Sequence, residues 1–386
     1  MYKRTECELQ MVDLHFDFEN GSKLKLFTPG PVYVPEKILK ELAKPNDTHR
    51  SLAYQELHES TVKGLQKLLY TKNNCLIFTS SATGVMEACI RNLLNSQDKG
   101  LILSCGAFGN RWGQIGKACG KKTNKIEIEW GTGFSEEQVK DVLSKDNYDV
   151  VTIQFVETST GIYNHLDEIA PIIKDSGALL CVDATSGIAG IKLEVDKLDI
   201  DVCLASVQKC LTIPPGLAVA SISEDALKKA KTVEDRGLYF DFVSLMKYST
   251  ERHQTPNTPP IPQIRALNAE LKYITETEGL ENRFRRHLEM RTTVHNWVNE
   301  MGMEMFSAKG YESPTVSTIK NNLDLDLNKV VNTALEKGYR IVNGYGDLKG
   351  KTFRIGHMGE LTVADVKELL EVLTGIINKL KEKEKN

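Results

Sequence analysis

Ala178-Leu179-Leu180-Cys181-Val182-Asp183, followed by Asp201-Val202-Cys203-Leu204-Ala205-Ser206-Val207-Gln208-Lys209, is the stretch on which the reading of this chain turns. Both runs are short, apolar and bounded by polar residues, the pattern of strands buried on both faces in a parallel sheet. In an open α/β sheet the carboxyl ends of the strands face the ligand crevice. Asp183 stands at one such end and Lys209 just beyond another, so an acid and an amine are aimed at one place. Taken singly, an Asp after a strand is more often a turn or helix-cap residue, and a Lys there a solvated charge. Their pairing, with Gln208 before the lysine and Pro214-Pro215-Gly216 before the next apolar run, points to a shared ligand.

Outward from this stretch, strand-like and helix-like segments alternate from about residue 75 to about 223. Leu76–Phe78, Gly100–Leu103, Lys125–Ile128, Val150–Phe155, Ala178–Val182, Val202–Ala205 and Leu217–Ile222 supply seven candidate strands. That order predicts an α/β fold with a mostly parallel seven-stranded sheet. After residue 260 the texture changes to charged amphipathic stretches, Gln263–Glu278 and Glu281–Glu300. Short strands near Thr315–Ile319, Arg340–Val342 and Thr352–Ile355 and a helix from about Val363 follow, so a smaller C-terminal α+β domain is expected. The expected division is an N-terminal arm over 1–25, a large domain over 26–260 and a small domain over 261–386, ending in a solvated charged tail.

A lysine that can hold an aldehyde as a Schiff base, with a carboxylate that keeps a pyridine nitrogen protonated, is the combination pyridoxal phosphate (PLP) requires. Other segments suit the same ligand. Thr79-Ser80-Ser81-Ala82-Thr83-Gly84 follows the first strand and opens a helix, where small residues let backbone amides reach a phosphate; an ordinary Ser/Thr cap would use the same residues. Arg354, in Lys351-Thr352-Phe353-Arg354-Ile355-Gly356, offers a planar fork for a carboxylate, although an arginine on an edge strand is commonly just solvated.

Ser206-Val207-Gln208-Lys209-Cys210 with Pro214-Pro215-Gly216 resembles the lysine motif of the class V, fold-type I PLP-dependent aminotransferases. Closest are the serine or alanine:pyruvate/glyoxylate aminotransferases, including archaeal serine aminotransferase-like proteins. The resemblance runs from Leu26-Phe27-Thr28-Pro29-Gly30-Pro31 to Phe353-Arg354-Ile355-Gly356-His357. It implies a PLP enzyme with Lys209 and Asp183 as catalytic residues. It further implies a phosphate cup at Ser81, Ala82 and Thr83, a stacking aromatic at Phe108 (where the family often has Trp), and Gln208 beside the lysine. Thr158, in Glu157-Thr158-Ser159-Thr160-Gly161, would sit near the cofactor's phenolic oxygen. Arg354 would hold the substrate α-carboxylate. Thr255-Pro256-Asn257-Thr258-Pro259-Pro260 reads alone as a stiff connection. By resemblance it reaches across a homodimer, with Thr258 at the partner's phosphate. A comparable His49-Arg50-Ser51 loop lies near the substrate entrance in relatives, which makes Arg50 a candidate specificity residue. The implied substrates are small amino acids and 2-oxo acids.

Composition agrees. The chain has 386 residues, 41% of them hydrophobic, enough for a large core, and a net charge of −3, which offers nothing to nucleic acid. No apolar run is long enough for a membrane span and the first 25 residues hold no recognisable targeting signal, so a soluble cytoplasmic protein is expected. The eight cysteines form no C-x-x-C pair and have no histidine at zinc spacing, so no metal site is expected and they read as reduced, buried small hydrophobes. Cysteine desulfurases share the fold and lysine but need a late nucleophilic cysteine, and here the last is Cys210. A transaminase for phosphoserine or aminoethylphosphonate would need extra cations at the side-chain pocket, for which Arg50 is the obvious candidate. A PLP-fold lyase is a further alternative. A nicotinamide dehydrogenase lacks its G-x-G-x-x-G after the first strand. A catalytically silent scaffold would have no use for both Asp183 and Lys209.

Overall fold

The computed structural model describes residues 24–384. The expectation for residues 1–23 as an arm, Cys7 included, lies outside them, as does the very end of the charged tail. The seven expected strands form one sheet: β1 (Asn74–Phe78), β2 (Lys99–Ser104), β3 (Lys122–Glu127), β4 (Val150–Gln154), β5 (Leu179–Asp183), β6 (Val202–Ser206) and β7 (Ala218–Ile222). Their order is β1-β7-β6-β5-β4-β2-β3. β7 runs antiparallel to both neighbours and the other pairs are parallel. The carboxyl ends of β1, β2, β4, β5 and β6 therefore open on one edge, and that edge collects the loops singled out above.

The uninterrupted apolar runs have a packing cause. Along β6, Cys203 and Ala205 enter the core on one side of the sheet and Val202 and Leu204 the core on the other. With helices on both faces most positions favour apolar side chains, and each fully buried Val or Leu contributes roughly 1.5–3 kcal/mol. β3 begins earlier than its apolar residues suggest, at Lys122, because an edge strand pairs through its backbone while its side chains stay wet; Lys122 lies opposite Lys99.

C-terminal to this, β8 (Val316–Lys320), β9 (Val342–Asn343) and β10 (Thr352–Gly356) form a three-stranded antiparallel sheet ordered β8-β10-β9. A short strand at Tyr339–Arg340 pairs instead with Lys25–Leu26. The stretch expected as one helix over Gln263–Glu278 is an α-helix over Ile261–Lys272 that widens into a π-turn over Tyr273–Glu278. Thr275 Oγ donates to the Leu271 carbonyl there, competing with the backbone ladder. Ile264, Leu267, Leu271 and Ile274 pack into the core beneath the large sheet, whereas Met290, Val294 and Val298 enter the C-terminal core with Val366 and Leu369. The large core thus extends beyond residue 260, because the apolar stripe of Ile261–Lys272 faces back toward it.

Candidate active site

One cavity of about 670 Å³ lies at the carboxyl edge of the sheet, lined among others by Ser81, Ala82, Thr83, Phe108, Thr158, Asp183, Gln208, Lys209 and Arg354. Residues as far apart as 81 and 354 meet because five strands of the large sheet end there and β10 of the C-terminal sheet borders the same cavity. Lys209 is buried, and its Nζ donates to Thr158 Oγ at 2.7 Å and to Ser186 Oγ at 2.5 Å. Burial pulls its pKa down to about 8, against the nearby carboxylates of Asp183 and Glu157, which pull it up. Asp183 is buried as well and accepts the Thr185 N–H at 2.9 Å. Burial pushes its carboxyl upward, partly offset by Thr185 and the charges of Lys209 and Arg111.

The lysine stem is clasped from the other side by the 28–32 loop. Gly30 has φ +109°, and a Cβ there would sit 2.8 Å from Lys209 Cγ, so the contact requires glycine in both conformation and size. The Val32 N–H reaches the Gln208 carbonyl at 3.1 Å, and the Gln208 side chain accepts from Ser206 Oγ at 2.5 Å.

Ser81 occupies the N-cap of the Ala82–Leu93 helix but makes no side-chain cap bond. The first-turn amides of Ala82 and Thr83 are left toward the cavity, where the positive end of the helix favours an anion. Phe108 sits at the start of the Ala107–Ala118 helix. Its backbone N–H and that of Gly109 donate to the fully buried Glu157 at 3.0 and 2.9 Å. Gly106 lets this carboxylate in, since a Cβ would lie 2.4 Å from Glu157 Cγ. The Glu157 loop thus anchors the aromatic residue. It does not cap the Leu166–Asp175 helix, whose N-cap is His165.

Arg354, on β10, is 7% exposed; its guanidinium lies 5.5 Å from the Tyr345 ring centre, and its hydrogen bonds are long ones to backbone carbonyls, Thr158 at 3.3 Å and Asn343 at 3.4 and 3.5 Å. Burial lowers its pKa to about 10. A buried guanidinium so loosely bonded is available to an incoming carboxylate.

Two expected residues lie elsewhere. Arg50 does not line the cavity: its guanidinium is held by Gln254 Oε at 2.7 Å and by the carbonyls of Thr255 and Pro256 at 2.9 and 3.0 Å. With those bonds made, Arg50 secures the 254–256 loop. Thr258 is exposed and likewise outside its own chain's cavity.

Other lining residues went unread in the sequence. Ser186 shares the lysine amine. Arg111 lies 4.9 Å from the Phe108 ring and donates to Thr83 Oγ at 3.2 Å and Tyr345 Oη at 3.3 Å. Tyr345 stacks on Phe108 with centroids 5.6 Å apart, and Arg340 completes that wall. Arg111 had one readable signal, its i+3 spacing from Phe108 on a helix; the others had none.

The cavity offers a buried amine of lowered pKa, a buried carboxylate, an aromatic face, open first-turn amides and a loosely bonded guanidinium. This donor set fits pyridoxal phosphate carrying an amino acid: a phosphate, a pyridine ring, an aldehyde and a carboxylate each find a partner of the right chemistry. Similarity to known proteins agrees. The model of the family described as aminotransferase class-V matches residues 37–341, and the chain belongs to that family of PLP-dependent transaminases. An uncharacterized aminotransferase of Methanocaldococcus jannaschii is 38% identical over 364 residues, covering 93% of each chain. A serine–glyoxylate aminotransferase of Methylorubrum extorquens is 30% identical over 350 residues, covering 87% of this chain and 86% of that one. The crystal structure of the ureidoglycine–glyoxylate aminotransferase of Bacillus subtilis superposes with a TM-score of 0.87 at 28% identity, covering 93% and 94%. The fold is that of the fold-type I PLP aminotransferases.

Proposed function

We propose that this aminotransferase takes a small amino acid, serine or alanine, as donor and a small 2-oxo acid, pyruvate or glyoxylate, as acceptor, and that it works as a homodimer in the cytoplasm. The convergence of Lys209, Asp183 and Arg354 on one cavity carries the reading. The serine–glyoxylate relative supports the substrate pair, and the burial of six of the seven described cysteines as free thiols suits a reducing compartment. In the net reaction the donor's amino group and the acceptor's carbonyl oxygen change places, so one amino acid and one 2-oxo acid yield another of each.

When bound, PLP supplies the aldehyde that accepts the amino group and the ring that spreads charge from the donor's α-carbon. Lys209 would hold the aldehyde, Asp183 the pyridine nitrogen, Ser81, Ala82 and Thr83 the phosphate, and Phe108 the ring face, with Thr158 and Gln208 beside them. Arg354 grips the α-carboxylate and so orients the donor's Cα–H bond. The neutral Lys209 amine removes the Cα proton of the donor and, in the second half-reaction, delivers one to Cα of the acceptor's carbon skeleton. Its pKa near 8 keeps an appreciable neutral fraction at physiological pH, where an exposed lysine has almost none. Both substrates present the same carboxylate to the same fork, which implies ping-pong kinetics.

Thr258 lies outside its own cavity, on a segment fastened by Arg50, as expected of a residue offered to a neighbour's phosphate. L-Serine or L-alanine should discharge the visible absorbance of the purified holoenzyme, and glyoxylate or pyruvate should restore it. Inertness toward both donors would sink the substrate reading. Mixing Thr258→Ala with Lys209→Ala subunits should recover activity, since a heterodimer then holds one site with neither lesion; no recovery despite subunit exchange would remove Thr258 from the shared site.

A further inference from the structure

Arg340 is a half-buried arginine on the wall of the catalytic cavity, and among the described residues its guanidinium has no hydrogen-bond or ion-pair partner. Its placement follows from strand alternation. Ile341 is fully buried in the C-terminal core, so its neighbours Arg340 and Val342 turn to the opposite side, and both line the cavity. Val342 is paired in register with Arg354, so the two arginines border one wall. The backbone is tied to the 25–27 segment, by pairing of Leu26 with Arg340 and by the Phe27 N–H to the Arg340 carbonyl at 2.8 Å.

The other cations of the cavity have uses. Lys209 is held by Thr158 and Ser186, Arg111 by Thr83 and Tyr345, and Arg354 is the fork for the α-carboxylate. An arginine beside that fork with nothing to bind marks a subsite for a second anion on the same substrate. We propose that Arg340 binds an anionic group on the substrate side chain, so that the enzyme also accepts, in one half-reaction, an α-amino acid whose side chain ends in a carboxylate or phosphate. The proposal rests on the transaminase reading of the site and widens its donor range. The same amino-for-oxygen exchange applies, with the second anion unchanged.

The test uses the PLP holoenzyme and follows loss of visible cofactor absorbance with L-aspartate, L-glutamate, O-phospho-L-serine, L-alanine and L-serine. At least one acidic donor should react with kcat/KM equal to or above that of L-alanine. Arg340→Gln should lower that value by about 10- to 100-fold, the usual range for a lost charge-assisted hydrogen bond, and Arg340→Lys by less. Both variants should leave L-alanine and L-serine within about threefold, a change too small to count as a lost contact. Which acidic donor responds separates a carboxylate subsite from a phosphate one. The proposal is overturned if all three acidic donors react more slowly than L-alanine, or if Arg340→Gln leaves the acidic donor unchanged or slows neutral and acidic donors alike. Reactive neutral donors with inert acidic ones would sink only this inference. An Arg340-dependent acidic donor with inert serine and alanine would sink only the small-neutral-donor reading.

Discussion

Two arginines buried in this chain have opposite surroundings. Arg283 is fully buried, and its guanidinium meets Glu270 at 3.3 Å, Glu278 at 3.0 Å and Glu360, together with the carbonyls of Ala189 at 3.2 Å and Cys210 at 2.7 Å. Arg354 is almost as buried and meets no carboxylate. The three acids hold Arg283 above the usual arginine range, whereas burial pulls Arg354 below it. The first arginine has its counter-ions built into the chain. The second has none, which suits the proposed substrate carboxylate, and folding bears the cost of a loosely bonded buried charge.

The largest effect expected of this contrast is at Lys209. Lys209→Ala should lower turnover by roughly 10⁴-fold or more, since the proposed anchor and proton carrier vanish together. The protein should nonetheless fold, and below about pH 8 its cofactor-free form should melt no lower than wild type, because a buried amine is a burden on the cofactor-free fold. The sign follows from its pKa: held near 8 in the folded chain, below the ordinary 10.5, the amine costs stability in full below about pH 8 and is relieved as pH rises toward 10.5. Cofactor-free wild-type protein should therefore gain stability across that window relative to Lys209→Ala, as read by denaturation midpoints. Near-normal turnover in the variant would end the assignment.

Next comes Arg283→Met, which strands Glu270, Glu278 and Glu360 without their common partner. Removing one member of a buried ion network costs about 3–5 kcal/mol, so the denaturation midpoint should drop markedly. Michaelis constants should hold, because Arg283 lines no part of the cavity. Raised Michaelis constants with unchanged stability would reverse the two arginines' roles.

The smallest shift is at Arg354→Lys, where charge survives and the planar fork is lost. Michaelis constants for amino acid and 2-oxo acid should rise together by the equivalent of about 1.5–3 kcal/mol, with little change in melting. A rise for only one substrate would show that the two α-carboxylates do not share this arginine.

Much of this molecule can be read from residue order. The seven runs that became β1 to β7 are legible because strands buried on both faces are mostly apolar, and Asp183 and Lys209 stand out because each follows such a run at its carboxyl end. Those features are local, and covalent neighbours suffice to define them. Arg111 and Arg354 carry a signal in the sequence, the i+3 spacing from Phe108 and the Lys351–Gly356 stretch, but nothing adjacent in sequence distinguishes Arg50, spent on the carbonyls of 255 and 256, from Arg340, which lines the cavity. Glu157 as the anchor of Phe108, Ser186 at the lysine amine and Tyr345 over the aromatic ring depend likewise on partners far away in the chain. Which guanidinium finds its counter-charge at home and which is left facing the cavity was decided by tertiary structure alone, because an ion's partners are fixed by distance and burial, and folding sets both only after the elements have packed.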